Sequence, residues 1–519
     1  MDTGSLSRRD FLKLLALAGI ASVGSPLYSM HRSSDHESTG SSASLPNLLL
    51  LVLDTLSAHH LSLFGYRRET TPNLARFAEQ ATVFHNHYAG GNFTVPGTAS
   101  LLTGTYPWSH QGLHLFGSVR DKYVERNLFN ALADNYYITA FTHNYLVMGM
   151  LNQFQESLDR VTLPKDLAIL SGPFADRLFP DDFLASIWGE RIIRGSGSDL
   201  PGSLFLSFLE DNVHSSTPRE LKRQYGERFP RGLPNNTMGV FFLLEDAIDW
   251  IQNEVAQVLQ PFLGYFHLFP PHEPYMTRKE YVDIFDDGWK PEPKPVHAFP
   301  LSKSEEFLNL RRRHYDEYLA FVDAEFGRLL DFLRRTGILD NTYFILTSDH
   351  GQLFEREIHG HVTSTLYEPL IRVPLLISKP GQRLREDVTT PTSCVDLLPT
   401  LLSIAGKPVP DWCEGQILPS FGTSNPNSDR NIYAVEAKKN PRSAPLKMGT
   451  VSIINGRYKL IRYFGYQAKM DDYELYDLQN DPGEYEDLYQ SRKRMASELK
   501  GELIARIDDA NRKITEGEV

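Results

Sequence analysis

The chain has 519 residues, 41% of them hydrophobic and 23% charged, and a formal net charge of −12. That length accommodates one large α/β domain with a smaller companion, and the composition is that of a globular chain with a substantial core. The acidic balance excludes a generic binder of nucleic acid or anionic lipid, since neither polyanion attracts it. Two cysteines, Cys394 and Cys413, stand outside any CxxC or Cys/His cluster, so neither a disulfide framework nor a thiolate zinc site is expected.

The N-terminus reads "SLSRRDFLKLLALAGIASVGS". Its apolar run, ending near Val23, is shorter than the ~18 to 20 residues that span a bilayer, so it is read as an export signal. The order S-R-R-x-F-L-K resembles the bacterial twin-arginine signal, which implies the twin-arginine export machinery as a partner and a periplasmic, extracellular or cell-envelope location. No clean A-x-A cleavage site follows, which leaves open an uncleaved, membrane-anchored form. The predicted organisation is a signal over 1–32, a polar Ser-rich linker over 33–45, a main domain over 46–408 and a C-terminal subdomain over 409–519.

"NLLLLVLD" (Asn47 to Asp54) is an unbroken apolar run of strand length ending in a carboxylate, as expected of a strand buried on both faces. In α/β folds its carboxyl end is where ligands sit. "TTPNLARFAEQATVF" then shows a Thr/Pro start and helical spacing at Leu74, Phe77 and Ala78. Further predicted strands are "YYITAFTH", "PFLGYFHLF", "NTYFILTSDH" and "VPLLISKPG". Between them lie helical patterns, notably "RRHYDEYLAFVDAEFGRLLDFLRRTG", which ends on Gly337. This alternation predicts an α/β fold with a central, mainly parallel sheet and helices on both faces. Residues Leu151 to Thr237 lack it and are read as an insertion. Beyond Pro408, "GTVSIINGRYKLIRYF" predicts two strands around an Asn455-Gly456 turn. With a closing charged helix, they form a small C-terminal subdomain with an antiparallel sheet.

Three predicted strands place acids or imidazoles near their ends. Asp54 ends the first. Asp349 and His350 end "TYFILTSDHG", where Gly351 is expected to permit a tight turn. His272 follows the third in "FPPHEPY". Each alone is a weak signal; together they are a convergent carboxylate and imidazole set suited to a divalent cation. Calcium or magnesium is expected, with manganese or zinc as the alternative.

"LLLVLDTLSAHHLSLFGYRRETTPNLARFAE", "TVPGTASLLTGTYP", "PPHEPY", "TSDHG", "LYEPLIRVPLLI", "DLLPTLLSIAG" and "YELYDLQNDPGE" occur in the order seen in sulfatases. From about Asn47 to Asp487 the chain resembles that family, a branch of the alkaline-phosphatase-like superfamily. The resemblance implies Asp54, Asp349 and His350 as metal ligands and His272 as a residue near the ester oxygens. It further implies His361, with His359 second, as the basic group offered to substrate. His359 and His361 lie two apart, so on an extended segment they share a face.

The departures carry as much weight. In sulfatases the element C-x-P-S-R-A-S-L-L-T-G supplies a cysteine that becomes formylglycine, the nucleophile. Here Thr94 stands in its place, and Gly97 and Thr98 replace the Ser and Arg, so no formylglycine is expected. His59 stands where related sequences often carry Asp, and Pro270 replaces an acid before P-H-x-P-Y. Superfamily relatives with Thr at the nucleophile position are phosphodiesterases, phosphatases and phosphoethanolamine or glycerol-phosphate transferases. By that resemblance Thr94 is expected to be a metal-coordinated nucleophile on phosphate mono- or diesters of a small molecule, glycan or lipid. The alternatives are sulfuric ester hydrolysis without formylglycine and a catalytically inactive binding protein.

Overall fold

A fully apolar strand has to be covered on both sides, and the first one is. In the computed structural model, β1 (Asn47–Leu53) is buried along its whole length. Leu48, Leu50 and Val52 enter one hydrophobic core, while Leu49, Leu51 and Leu53 enter another on the opposite face. The period of two along a strand thus feeds two cores from one run. The structure describes residues 45–170, 189, 203–205, 221–237, 240–297, 299–422, 430–467 and 469–518. The signal, nearly all of the linker and most of the 151–237 segment lie outside the described residues.

The other strands of the central sheet are β2 (Thr82–Phe84), β3 (Tyr137–Thr142), β4 (Arg160–Thr162), β5 (Phe262–Leu268), β6 (Thr342–Thr347), β7 (Leu375–Ser378) and β8 (Glu386–Val388). They run in the order β8-β2-β7-β6-β1-β5-β3-β4. Only β7 is antiparallel to its neighbours, so the sheet is mainly parallel. One face is covered by α1 (Pro72–Ala78), α3 (Leu244–Gln257) and α4 (Glu305–Arg335), the other by α2 (Thr94–Thr103) and α5 (Leu397–Ile404), while α6 (Lys493–Glu516) packs on the C-terminal sheet.

Some boundaries differ from the sequence expectation. The helix after Thr71 stops at Ala78, and Thr82–Phe84 is a strand, because its β-branched and aromatic residues complete the sheet against β7. The long helix begins at Glu305, ahead of the "RRHYDEY" run: Ser304 caps it, accepting from the Phe307 N–H at 3.2 Å, and two glutamates occupy its first turn. Within the segment read as an insertion, Arg160–Thr162 pairs with β3 and belongs to the sheet.

The C-terminal subdomain is an antiparallel sheet of β9 (Ile432–Glu436), β10 (Gly449–Asn455), β11 (Tyr458–Tyr466) and β12 (Lys469–Asp477), with β10 and β11 closing on Asn455 and Tyr458. A buried ion cluster ties it to the main domain. Lys459 on β11 donates to Glu368 at 3.0 Å and lies 2.7 Å from Glu484. Replacing Lys459 by Met would strand two carboxylates in the interior, which should cost about 3–5 kcal/mol of stability in urea unfolding. A loss below about 1 kcal/mol would show that the cluster does not hold the subdomain.

Candidate active site

Parallel register assembles the site. Val52 of β1 pairs with His267 of β5 and with Thr347 of β6, and Thr142 of β3 pairs with His267. Two residues beyond that row lie Asp54, Asp349 and Asn144. Alternation along each strand therefore aims these groups to the same face. The pairing extends past the end of β1, since the Asp54 N–H donates to the Leu268 carbonyl at 3.0 Å. The chain then turns through Thr55, a β-branched residue at φ 61°, a costly conformation held by the Tyr315 hydroxyl donating to the Thr55 carbonyl at 2.7 Å.

The same face receives α2. Thr94 is its first residue, so the hydroxyl sits at the positive end of the helix. Gly97 is what lets that end come so close: a Cβ there would meet the Asp349 carbonyl oxygen at 2.2 Å. Thr94 Oγ1 lies 3.4 Å from His350 Nε2, which is 3.5 Å from both Asp54 Oδ1 and Asp349 Oδ2. Gly351, next along, is needed for close approach rather than for a left-handed turn: a Cβ would meet the Pro369 carbonyl oxygen at 2.0 Å.

Asp54 and Asp349 are both buried, with no Lys or Arg paired to either among the described residues. Burial alone would raise the Asp54 carboxyl, but His272, His267 and His350 outweigh it and hold the pKa at about 2. Burial and then the Asp54 charge push Asp349 well above the usual carboxylate range. Asp54 Oδ1, Asp349 Oδ2 and His267 Nε2 lack any hydrogen-bond partner. Ligand atoms of Asp54, His267 and Asp349 lie within 4.8 Å of one another. Orphaned, convergent and anionic, this donor set fits a divalent cation.

Three imidazoles direct Nδ1–H at a carbonyl-type oxygen, and a fourth meets a hydroxyl. His350 Nδ1–H donates to the Gly351 carbonyl at 3.0 Å, and His272 Nδ1–H to the Glu273 carbonyl at 2.6 Å. His361 Nδ1–H donates to Gln352 Oε1 at 2.7 Å, and His267 Nδ1 lies 3.0 Å from the Tyr265 hydroxyl. With Nδ1 holding the proton in His350, His272 and His361, the Nε2 of each is free as ligand or proton acceptor. The His361 ring lies tilted against His350 and edge-on to His272, at centroid distances of 4.6 and 4.7 Å. Burial, followed by His350 and His272, keeps His361 neutral, its pKa well below the usual value.

The structure therefore brings together Asp54, Thr94, His272, Asp349, His350 and His361. His359 stands one layer back. Its Nε2 faces the Tyr275 hydroxyl at 3.4 Å, and that hydroxyl accepts from Gln352 at 2.7 Å. Gly360, at φ 114°, lies between the two histidines, and the Tyr275–Gln352 pair connects His359 to His361 Nδ1. Sequence reasoning missed His267 and Asn144. Asn144 donates to Asp54 Oδ2 at 2.6 Å while its Oδ1 caps the following helix. The signal for His267 was an imidazole inside the apolar strand "FLGYFHLF".

A mainly parallel sheet with this acid and imidazole cluster at its carboxyl edge defines an alkaline-phosphatase-like hydrolase fold. The Sulfatase family model matches residues 46–407, and a model described as N-sulphoglucosamine sulphohydrolase, C-terminal, matches 359–513. The chain belongs to the sulfatase family. It is 25% identical over 476 residues to the choline-sulfatase of Rhizobium meliloti (85% of this chain, 82% of that protein). It is 30% identical over 488 residues to the uncharacterized sulfatase YidJ of Escherichia coli (85% and 83%). Its fold matches the phosphonate monoester hydrolase from Silicibacter pomeroyi with a TM-score of 0.62, at 19% identity, over 90% of this chain and 95% of that one.

The two carboxylates repel each other in the metal-free protein. Asp349→Asn should therefore stabilise the metal-free chain by on the order of 1 kcal/mol. The same change should abolish stabilisation by metal, which for wild type is about 2.7 kcal/mol at a hundredfold excess over Kd. Thermal unfolding with and without added cation measures both. A variant that is less stable without metal, yet still stabilised by it, would rule out the assigned centre.

Proposed function

We propose that this protein is an exported, metal-dependent esterase that cleaves phosphate mono- or diesters through the Thr94 hydroxyl. The observation supporting this most directly is the placement of that hydroxyl, at a helix start and 3.4 Å from a His350 nitrogen that carries no proton. When bound by Asp54, His267, Asp349 and His350, the divalent ion supplies positive charge that favours the Thr94 alkoxide and steadies the ester oxygens.

Thr94 Oγ1 attacks phosphorus in line, its bond to phosphorus forming as the bond to the leaving oxygen breaks. Thr94 releases its proton to solvent before attack, and the leaving oxygen, on the far side of phosphorus, takes one from water or from a His361 that has bound a proton. Its Nδ1–H bond to Gln352 keeps the other ring nitrogen available for that transfer. His272 lies against the same group and contacts the ester oxygens. Water then releases phosphate from Thr94, or an acceptor alcohol takes it. Two imidazoles in the ligand set favour manganese or zinc over calcium and magnesium, which prefer oxygen donors.

Sulfate esters are the second reading, favoured by the family match and by the choline-sulfatase relative. Phosphate is preferred because formylglycine chemistry has no cysteine to start from at position 94. The phosphonate monoester hydrolase shares the fold. A small-molecule or glycan ester is the substrate class, and export is supported by the S-R-R-D-F-L-K segment.

Assays on aryl phosphate, phosphodiester and aryl sulfate should show phosphate esters turned over faster. Thr94→Ala should lower kcat about a thousandfold or more with metal content unchanged, and Thr94→Ser should retain part of the rate. Thr94→Ala at wild-type activity would exclude it as nucleophile. After chelation, manganese or zinc should restore turnover better than calcium; the reverse order would remove His267 from the ligand set.

A further inference from the structure

Away from the cluster around Asp54, a cavity of about 390 Å³ opens where the loop after Ala58, the Trp289–Lys294 segment, Phe354 and the Pro482–Tyr485 stretch meet. None of the acid or imidazole groups assigned to catalysis lines it. Its volume suits a small molecule.

His59 and Arg372 enter it side by side, because the Ala58 N–H donates to the Arg372 carbonyl at 3.1 Å. Arg372 uses its Nε on the His85 carbonyl at 3.0 Å, and no carboxylate among the described residues pairs with its guanidinium. His59 buries Nε2 without a hydrogen-bond partner. His59 therefore holds a buried polar atom without a partner, an arrangement that costs stability unless something arrives, and Arg372, its guanidinium 5.8 Å from the Phe64 ring, keeps terminal N–H groups beside it.

The surroundings are cationic. Burial, then Arg372 and Lys294, drive the His59 pKa well below the usual value, so the ring is neutral and can donate one N–H. Glu355 in the wall is answered by Lys294 at 2.8 Å, and Glu292 and Glu305 stand exposed at the rim, where water screens them. Trp289 forms an aromatic side, with the Arg68 guanidinium 5.0 Å from its ring.

We infer that this cavity binds a small organic anion, a carboxylate, sulfate or phosphate carried on a ring-sized body, with Arg372 and His59 holding the anion and Trp289 packing against the ring. Arg372 offers its free guanidinium N–H groups as a fork to two anion oxygens. The site is independent of Thr94 chemistry and of the metal.

Calorimetric titrations with inorganic sulfate and with glucuronate, at constant ionic strength, test this. Wild type should bind glucuronate saturably and more tightly than sulfate, and Asp349→Asn should bind both as wild type does. His59→Asp should weaken both at least tenfold, since its carboxylate would occupy Arg372, and it should melt higher than wild type without ligand. Trp289→Ala should weaken glucuronate at least fivefold while leaving sulfate unchanged, which keeps the test open if His59→Asp misfolds. Absence of saturable binding, or binding lost in Asp349→Asn and kept in His59→Asp, would overturn the inference.

Discussion

Two buried carboxylates facing each other without a fixed cation are the constraint on which the rest of the site depends. Asp54 and Asp349 lie two residues beyond a common row of adjacent parallel strands, so the sheet itself sets their separation. Their mutual repulsion shows in opposite directions, one carboxyl held low by imidazoles and the other driven up by its neighbour. Such a pair persists because β1, β5 and β6 are fixed by cores on both faces, and no local adjustment can separate their ends. The strain at Thr55, the Asn144 hydrogen bond and the close fit at Gly97 all serve to hold groups against this centre rather than to relieve it.

Much of the fold could be read from composition along the chain. The uninterrupted run Asn47–Leu53 announced a strand covered on both faces, and alternation with helical patterns announced a parallel sheet. What could not be read was set by tertiary partners. Thr82–Phe84 continues a helical pattern in sequence, but it is a strand because β7 lies beside it. Arg160–Thr162 is too short to signal anything, and becomes a strand because β3 offers an edge.

The site divides in the same way. Residues at the ends of apolar runs, such as Asp54 and Asp349, were visible because a carboxylate there contrasts with what precedes it. His267 was hidden because it lies inside such a run, where an imidazole is easily taken for a core residue. Only the register with Val52 and Thr142 shows which way it faces. His359 was readable only as a neighbour of His361 in sequence; the hydrogen bonds through Tyr275 and Gln352 that connect the two come from distant segments.

The departures from the sulfatase pattern also fit together physically. Replacing the motif's Arg by Thr98 takes a permanent positive charge from the neighbourhood of Thr94, and the imidazoles that face it are poor substitutes. Burial lowers His350 and His361 toward the neutral form. Two buried carboxylates without a Lys or Arg beside them do not attract an anionic group. On the proposed reading, substrate affinity would come from a divalent ion held by this donor set and from the start of α2, so anion binding and metal binding would be thermodynamically linked, each raising the affinity of the other. A guanidinium beside the nucleophile would loosen that linkage by attracting the ester with the metal absent. On that reading, a site without the Arg would be more strictly metal-gated than one that keeps it.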